Sequence, residues 1–356
     1  MDSQQFDQTL VVDGTITNEP GPYTVKLSRS TPLDSAEFIP YKGCIVSIYE
    51  ENGTHEILNE VEPGIYKTSE NGIQGKIGHA YSLDIQTPDG KTYISDYQEL
   101  KSPVGIEEVS AKTEYEELTY EDRDLPGYQF YLSTEQSSDP ETFFLWELEE
   151  TYEFTADYRY YRSIYMGEVD IPTDQDTLYR CWRTRPVGQI FTEETGNLSK
   201  PEITNLPLHF VGIDSKRLQY RYSLFVRQYI INREAYDYWS EIEEQNSSDE
   251  FLSSRQPYQI RGNIYNPENM DENVLGYFTV ASMETKRIFV NSPPFSMDID
   301  RCYVNTQVLF VFRMSFDRRV FIAIGDNGDG VVDESCVDCR KEGGTLEKPD
   351  FWIDYP

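Results

Sequence analysis

The side chains able to move protons, bind metals or attack carbonyls are few in this chain, and their spacing fits no catalytic template. Histidine occurs only at His55, His79 and His209. His55 follows an Asn52-Gly53 turn and is expected exposed on a hairpin, while His79 falls in a glycine-flanked loop before a strand. Neither GxSxG nor HExxH is present, so no histidine is matched to a nucleophile or a zinc partner. The glycines of Gly72-Ile73-Gln74-Gly75 and of Gly325–Gly330 lack the phosphate-loop pattern and mark turns. Glu147, Glu149 and Glu150 could supply the two carboxyls of glycosidic chemistry. Glu147 and Glu149, however, alternate with aromatic residues as a solvated face does. No catalytic residue is assigned, and no enzyme is expected.

Two sets of residues remain as candidate sites. Asp326-Asn327-Gly328-Asp329 with Asp333 clusters oxygen donors on a glycine-rich turn, which suits calcium. The EF-hand template fails there: with Gly330 at the invariant glycine, the first ligand position is Gly325 and the last Cys336. A non-EF calcium loop stands against a flexible acidic loop. Beyond that possible calcium, no cofactor is expected. Tyr158-Arg159-Tyr160-Tyr161-Arg162 concentrates the residue types that anchor ligands, so Tyr158, Tyr160, Tyr161 and Arg162 form the candidate binding set. The bland alternative is an aromatic edge strand or an inter-domain contact.

Of the five cysteines, Cys44 lies at an inward strand position and reads as a small buried hydrophobe. Cys181, Cys302, Cys336 and Cys339 come late in the chain. Zinc would need a second CxxC pair, and Cys336-Val337-Asp338-Cys339 does not open a helix as a thioredoxin motif must. Two disulfides in an oxidising compartment fit better, with the pairing left open.

The balance of 31 basic and 63 acidic residues gives a net charge of −32. Such a surface repels nucleic acid and anionic membranes. It keeps a protein soluble, or offers an acidic face to a basic partner or to calcium. No apolar run reaches the length of a transmembrane helix. The start, Met1–Asp7, has neither a basic nor an apolar export region, which leaves a cytoplasmic protein or one whose signal has been removed.

These residues must be positioned mainly by strands. Aromatic residues are 14% of the chain, 27 of them Tyr, a composition that favours pleated surfaces. Residues 9 to 97 alternate apolar and polar in about seven short runs separated by turn signals, as in an antiparallel, immunoglobulin-like β-sandwich. A boundary falls near Leu100–Val104, dividing the chain into 1–103 and 104–356. The second, larger sandwich opens at Ile106–Val109 and Gly127–Leu132 and contains the aromatic strand Phe143–Phe154. Further strands are expected at Leu218–Tyr229, Tyr258–Tyr265, Leu275–Ser282 and Thr306–Phe312. One helix interrupts them. Asn232 can cap it, and Ala235, Tyr238, Trp239 and Ile242 share one face.

Together the motifs resemble domain of unknown function 4249, a family of Bacteroidota outer-membrane lipoproteins. The ordered set includes Leu10–Thr17, Gly21–Leu27, Gly127–Leu132, Trp146–Glu153, Cys181-Trp182 and Glu234–Trp239. It continues through Val274–Phe278 and ends in Cys336–Cys339, Gly343-Gly344-Thr345 and Lys348–Trp352. The resemblance implies a transthyretin-like first domain and a lipid-anchored, extracytoplasmic location. The lipidated cysteine would precede this chain, since none stands before Cys44. It also implies an outer-membrane β-barrel partner of the TonB-dependent, SusC-like kind, or another envelope protein. The expected function is therefore a non-catalytic accessory subunit, with a glycan- or peptide-binding surface module as the alternative.

Overall fold

A computed structural model describes residues 9–31, 38–117, 124–247, 260–297, 299–306, 319–326 and 328–354. The chain is mainly β and its sheets pack as sandwiches. Three inward-facing periods build the first core. Val12 and Ile16, Val25 and Leu27, and Val46 and Ile48 are buried against Tyr81, Leu83 and Ile85. In the second core, Phe130 and Leu132 lie against Phe144, Trp146, Leu148, Leu224 and Val226. Full burial of each large apolar side chain contributes about 1.5–3 kcal/mol. Leu100 belongs to the first core and Val104 to the second.

One strand runs through both sandwiches. The 18-residue Val274–Asn291 strand pairs parallel with Leu10–Thr17 over its first eight residues. Its remainder pairs antiparallel with Arg221–Ile231. A ten-stranded sheet results, with the Phe143–Thr155 strand near one end and Asn59–Glu62 at the other. Ile264, Val274, Phe278 and Val280 of the second region thereby complete the first core. Gly276 makes the parallel pairing possible. Its φ is 86°, and a Cβ there would stand 1.9 Å from the Val12 carbonyl oxygen.

The Arg233–Ser247 helix starts as its sequence predicts, with Asn232 Oδ1 accepting from the Ala235 N–H at 2.7 Å. Ala235, Tyr238 and Trp239 pack on Phe143, Leu145, Tyr229 and Tyr277. Among the described residues, no helix is long and apolar enough to cross a membrane. Two expected strands differ. Lys216–Leu218 closes a 3-10 turn, held by the Gln219 N–H on the Lys216 carbonyl, so its strand begins at Arg221. From the Tyr258–Tyr265 run, only Ile264–Tyr265 is a described strand. Residues 307–312 lie outside the described residues.

A six-stranded sheet, which includes Ile45–Glu50 and Ala80–Gln86, and three-stranded and four-stranded sheets complete the described architecture. The four-stranded one, in the order Glu168–Asp170, Arg162–Tyr165, Val320–Gly325, Gly328–Val332, covers a satellite core around Tyr160, Phe321, Ala323 and Val337.

Candidate functional site

The small sheet brings the two predicted sites together, because Arg162 and Asp329 lie on neighbouring parts of it. Arg162 Nη2 is 3.2 Å from Asp329 Oδ2, so a proposed ligand anchor and a proposed calcium ligand neutralise each other. Asp326 sits in the turn before Gly328, and the Asp333 carbonyl accepts the Cys336 N–H that opens a 3-10 turn. Asn327 lies outside the described residues. Among those that are described, no three His, Cys, Asp or Glu side chains converge as metal ligands would.

The tyrosines are placed differently from a solvent-facing platform. Tyr160 is buried against Phe321, and its hydroxyl donates to Ser163 Oγ at 2.8 Å and to Asp170 at 3.2 Å. The Tyr158 hydroxyl donates to the Cys302 carbonyl at 2.9 Å. The reason is packing: a four-stranded sheet needs apolar volume beneath it, and these rings supply it. Tyr161 is half-buried, with the Arg162 guanidinium 5.0 Å from its ring centre.

The four late cysteines form Cys181–Cys339 and Cys302–Cys336. The CxxC segment is thus a clamp whose two sulfurs hold different parts of the chain. Cys339 ties it to the ten-stranded sheet through the Arg180–Pro186 strand, and Cys336 to the loop beside the satellite core. Cys44 is buried and unbridged, as expected.

Two clusters around buried carboxylates escaped the sequence reading; a third buried carboxylate, Asp338 of the CxxC segment, pairs with Arg340. On the Phe143–Thr155 strand the even positions face the core, and Glu150 follows Phe144, Trp146 and Leu148 inward. Arg185 Nε lies 2.5 Å from Glu150 Oε1, while Oε2 receives the Tyr222 hydroxyl at 2.9 Å and Arg217 Nη1 at 3.3 Å. His209 Nε2 is 3.8 Å away. Burial alone would raise this carboxyl, but the surrounding His209, Arg217, Arg185 and Tyr222 more than reverse it and hold it at about 2. Parity along the strand was the signal that could have found it. Glu147 and Glu149, on the opposite face, are engaged by Tyr229 and by Arg227.

Glu50 is the second. It ends the Ile45–Glu50 strand on the same inward parity as Val46 and Ile48. His79 Nδ1 lies 2.6 Å from its Oε1 and Lys76 Nζ 3.4 Å. Both Glu50 and Lys76 line an open groove of about 390 Å³ that also includes His55 and Glu56. Glu56 is occupied as well, accepting from the Ser69 and Ile73 N–H groups at 2.7 and 2.6 Å. His55 is exposed on its hairpin and stacks on Tyr49. A second open groove, about 430 Å³, is lined by Arg29, Tyr41, Pro40, Pro88 and Asp89, with the Arg29 guanidinium 4.3 Å from the Tyr41 ring centre.

The arrangement is one of matched charges. At Glu150 the carboxylate faces cations and a hydroxyl within the second core, whereas at Glu50 its partners Lys76 and His79 are about half exposed beside the groove. A family model described as a domain of unknown function, DUF4249, matches residues 1–287, and the chain belongs to that family. Comparison with curated proteins returns no match.

Proposed function

We propose, from membership of this family, that the chain is a non-catalytic accessory protein of the outer membrane, lipid-anchored and docked on a TonB-dependent, SusC-like transporter or a similar envelope assembly. The observation that carries this reading is the disulfide clamp at Cys336 and Cys339. Structural disulfides persist in oxidising compartments and are rare where glutathione keeps thiols reduced. Glu150 supports the non-catalytic part. A carboxyl held at about 2 by neighbours in its own core stays ionised near neutral pH and is poorly matched to proton transfer there. The strong negative charge favours a basic docking partner.

Native protein isolated from mildly solubilised outer membranes tests the proposal. Co-migration with a β-barrel partner through size exclusion is the expected result. Recovery as a lone species would sink it and leave a glycan- or peptide-binding module, for which the Arg29–Tyr41 groove is the place to look.

A further inference from the structure

An edge of the four-stranded sheet has the character of a docking strand. Among the described residues the Glu168–Asp170 strand pairs with Arg162–Tyr165 alone, so no described strand takes its outer backbone N–H and C=O groups. Natural proteins guard such edges with charge, brevity or cover. Asn59–Glu62, the end strand of the large sheet, follows this rule with Glu60 and Glu62.

Glu168–Asp170 is also short and carries two carboxylates, but here exposed apolar side chains surround the edge. Tyr165, Met166, Val169 and Ile171 are 41%, 66%, 55% and 64% exposed. Met166 and Gly167 form the two-residue loop, with φ of 49° and 82°. A turn with both central residues at positive φ favours Asn, Asp or Gly, so stability alone gives no reason for a methionine at the first position. The base of the hairpin is fixed: Asp170 receives both the Tyr160 hydroxyl and Arg319, and Cys302–Cys336 closes the core below. A hairpin held in place loses little freedom on binding.

The surroundings are acidic. Residues 157–178 and 319–334 carry nine acidic and three basic side chains. Those three, Arg159, Arg162 and Arg319, already pair with Asp176, Asp329 and Asp170, while Lys216 and Lys341 pair with Asp157 and Glu334, so the uncompensated charge among the described residues is that of Glu168, Asp174, Asp326 and Asp333. A partner that covers this surface must therefore bring positive charge as well as apolar side chains.

Resting on the docking function proposed above, we infer that the edge accepts an extended protein segment of alternating basic and apolar residues, added as a further strand beside Glu168–Asp170. Its basic residues face Glu168, its apolar residues Val169 and Ile171. A lipid surface would take the hairpin tip and leave the edge amides open.

Hydrogen exchange on the full chain with an alternating Lys-Val peptide tests this, with a Glu-Val peptide and phosphatidylcholine vesicles as comparisons. Exchange of the 168–171 amides should slow by about tenfold with the Lys-Val peptide alone. A Val169→Lys, Ile171→Lys double variant should lose that protection and keep the wild-type urea midpoint. Equal protection by the two peptides, protection spread over the surface, protection retained in the variant, or shielding of Met166 by vesicles would each overturn the inference. In solubilised membranes the failures separate. Wild type recovered alone defeats the docking function, whereas a complex that survives the double variant defeats only this surface.

Discussion

Glu150→Gln probes the second core at its most charged point and yields a pH dependence that packing alone would not. The carboxyl falls from an ordinary 4.5 to about 2 on folding. At about 1.4 kcal/mol for each tenfold change in proton affinity, that difference contributes about 3 kcal/mol at neutral pH. Because the folded value is the lower one, the contribution is complete above about pH 5. It is lost as pH falls from 4.5 towards 2. Removing one partner of a buried pair costs about 3–5 kcal/mol. Arg185 is 41% exposed and can turn to water, which favours the lower end of that range. Urea denaturation of wild type and Glu150→Gln across pH 7 to 3 should therefore show a gap of about 3 kcal/mol at pH 7 that narrows steadily below pH 4.5. A gap under about 1 kcal/mol at neutral pH, or one that stays constant to pH 3, would refute the reasoning.

Serine replacement of each disulfide pair should rank by the loop each closes. Cys181–Cys339 spans 158 residues and Cys302–Cys336 spans 34. In the chain-entropy model their removal costs about 5 and about 4 kcal/mol, read from urea midpoints; a reversed order would contradict that model here. Gly276→Ala should destabilise by at least about 4 kcal/mol, since the new methyl would meet the Val12 carbonyl and the backbone is left-handed. A variant melting within a few degrees of wild type would show that the parallel pairing can shift to admit it.

Local periodicity explains what could be read in advance. The strands around Val12, Val25, Ile48 and Leu83 alternate with period two, and the helix announces itself through Asn232 and an apolar face, because each pattern spans only a few residues. The Glu150 cluster was hidden because its partners at 185, 209, 217 and 222 come from other elements, although strand parity already pointed Glu150 inward. Disulfide pairing was equally out of reach, since it depends on which sheets the CxxC segment lies between. Tyr160 appeared suited to a surface because a Tyr-Arg run looks the same at an edge and over a small core; only the sheet above it distinguishes the two. The Glu168–Asp170 hairpin drew no attention because four residues with a Met-Gly turn lack the usual Asn-Gly signal.

The Val274–Asn291 strand also sets an order of events. A chain emerging from its N-terminus makes the Leu10–Thr17 strand early, yet the neighbour that flanks it and the Phe278 side chain beneath it arrive more than 250 positions later. Until then one side of that strand has no partner and the first sandwich is missing part of its filling. A fragment ending near residue 103 would therefore be an unfinished body, with an adhesive flank left open until the far segment threads into place.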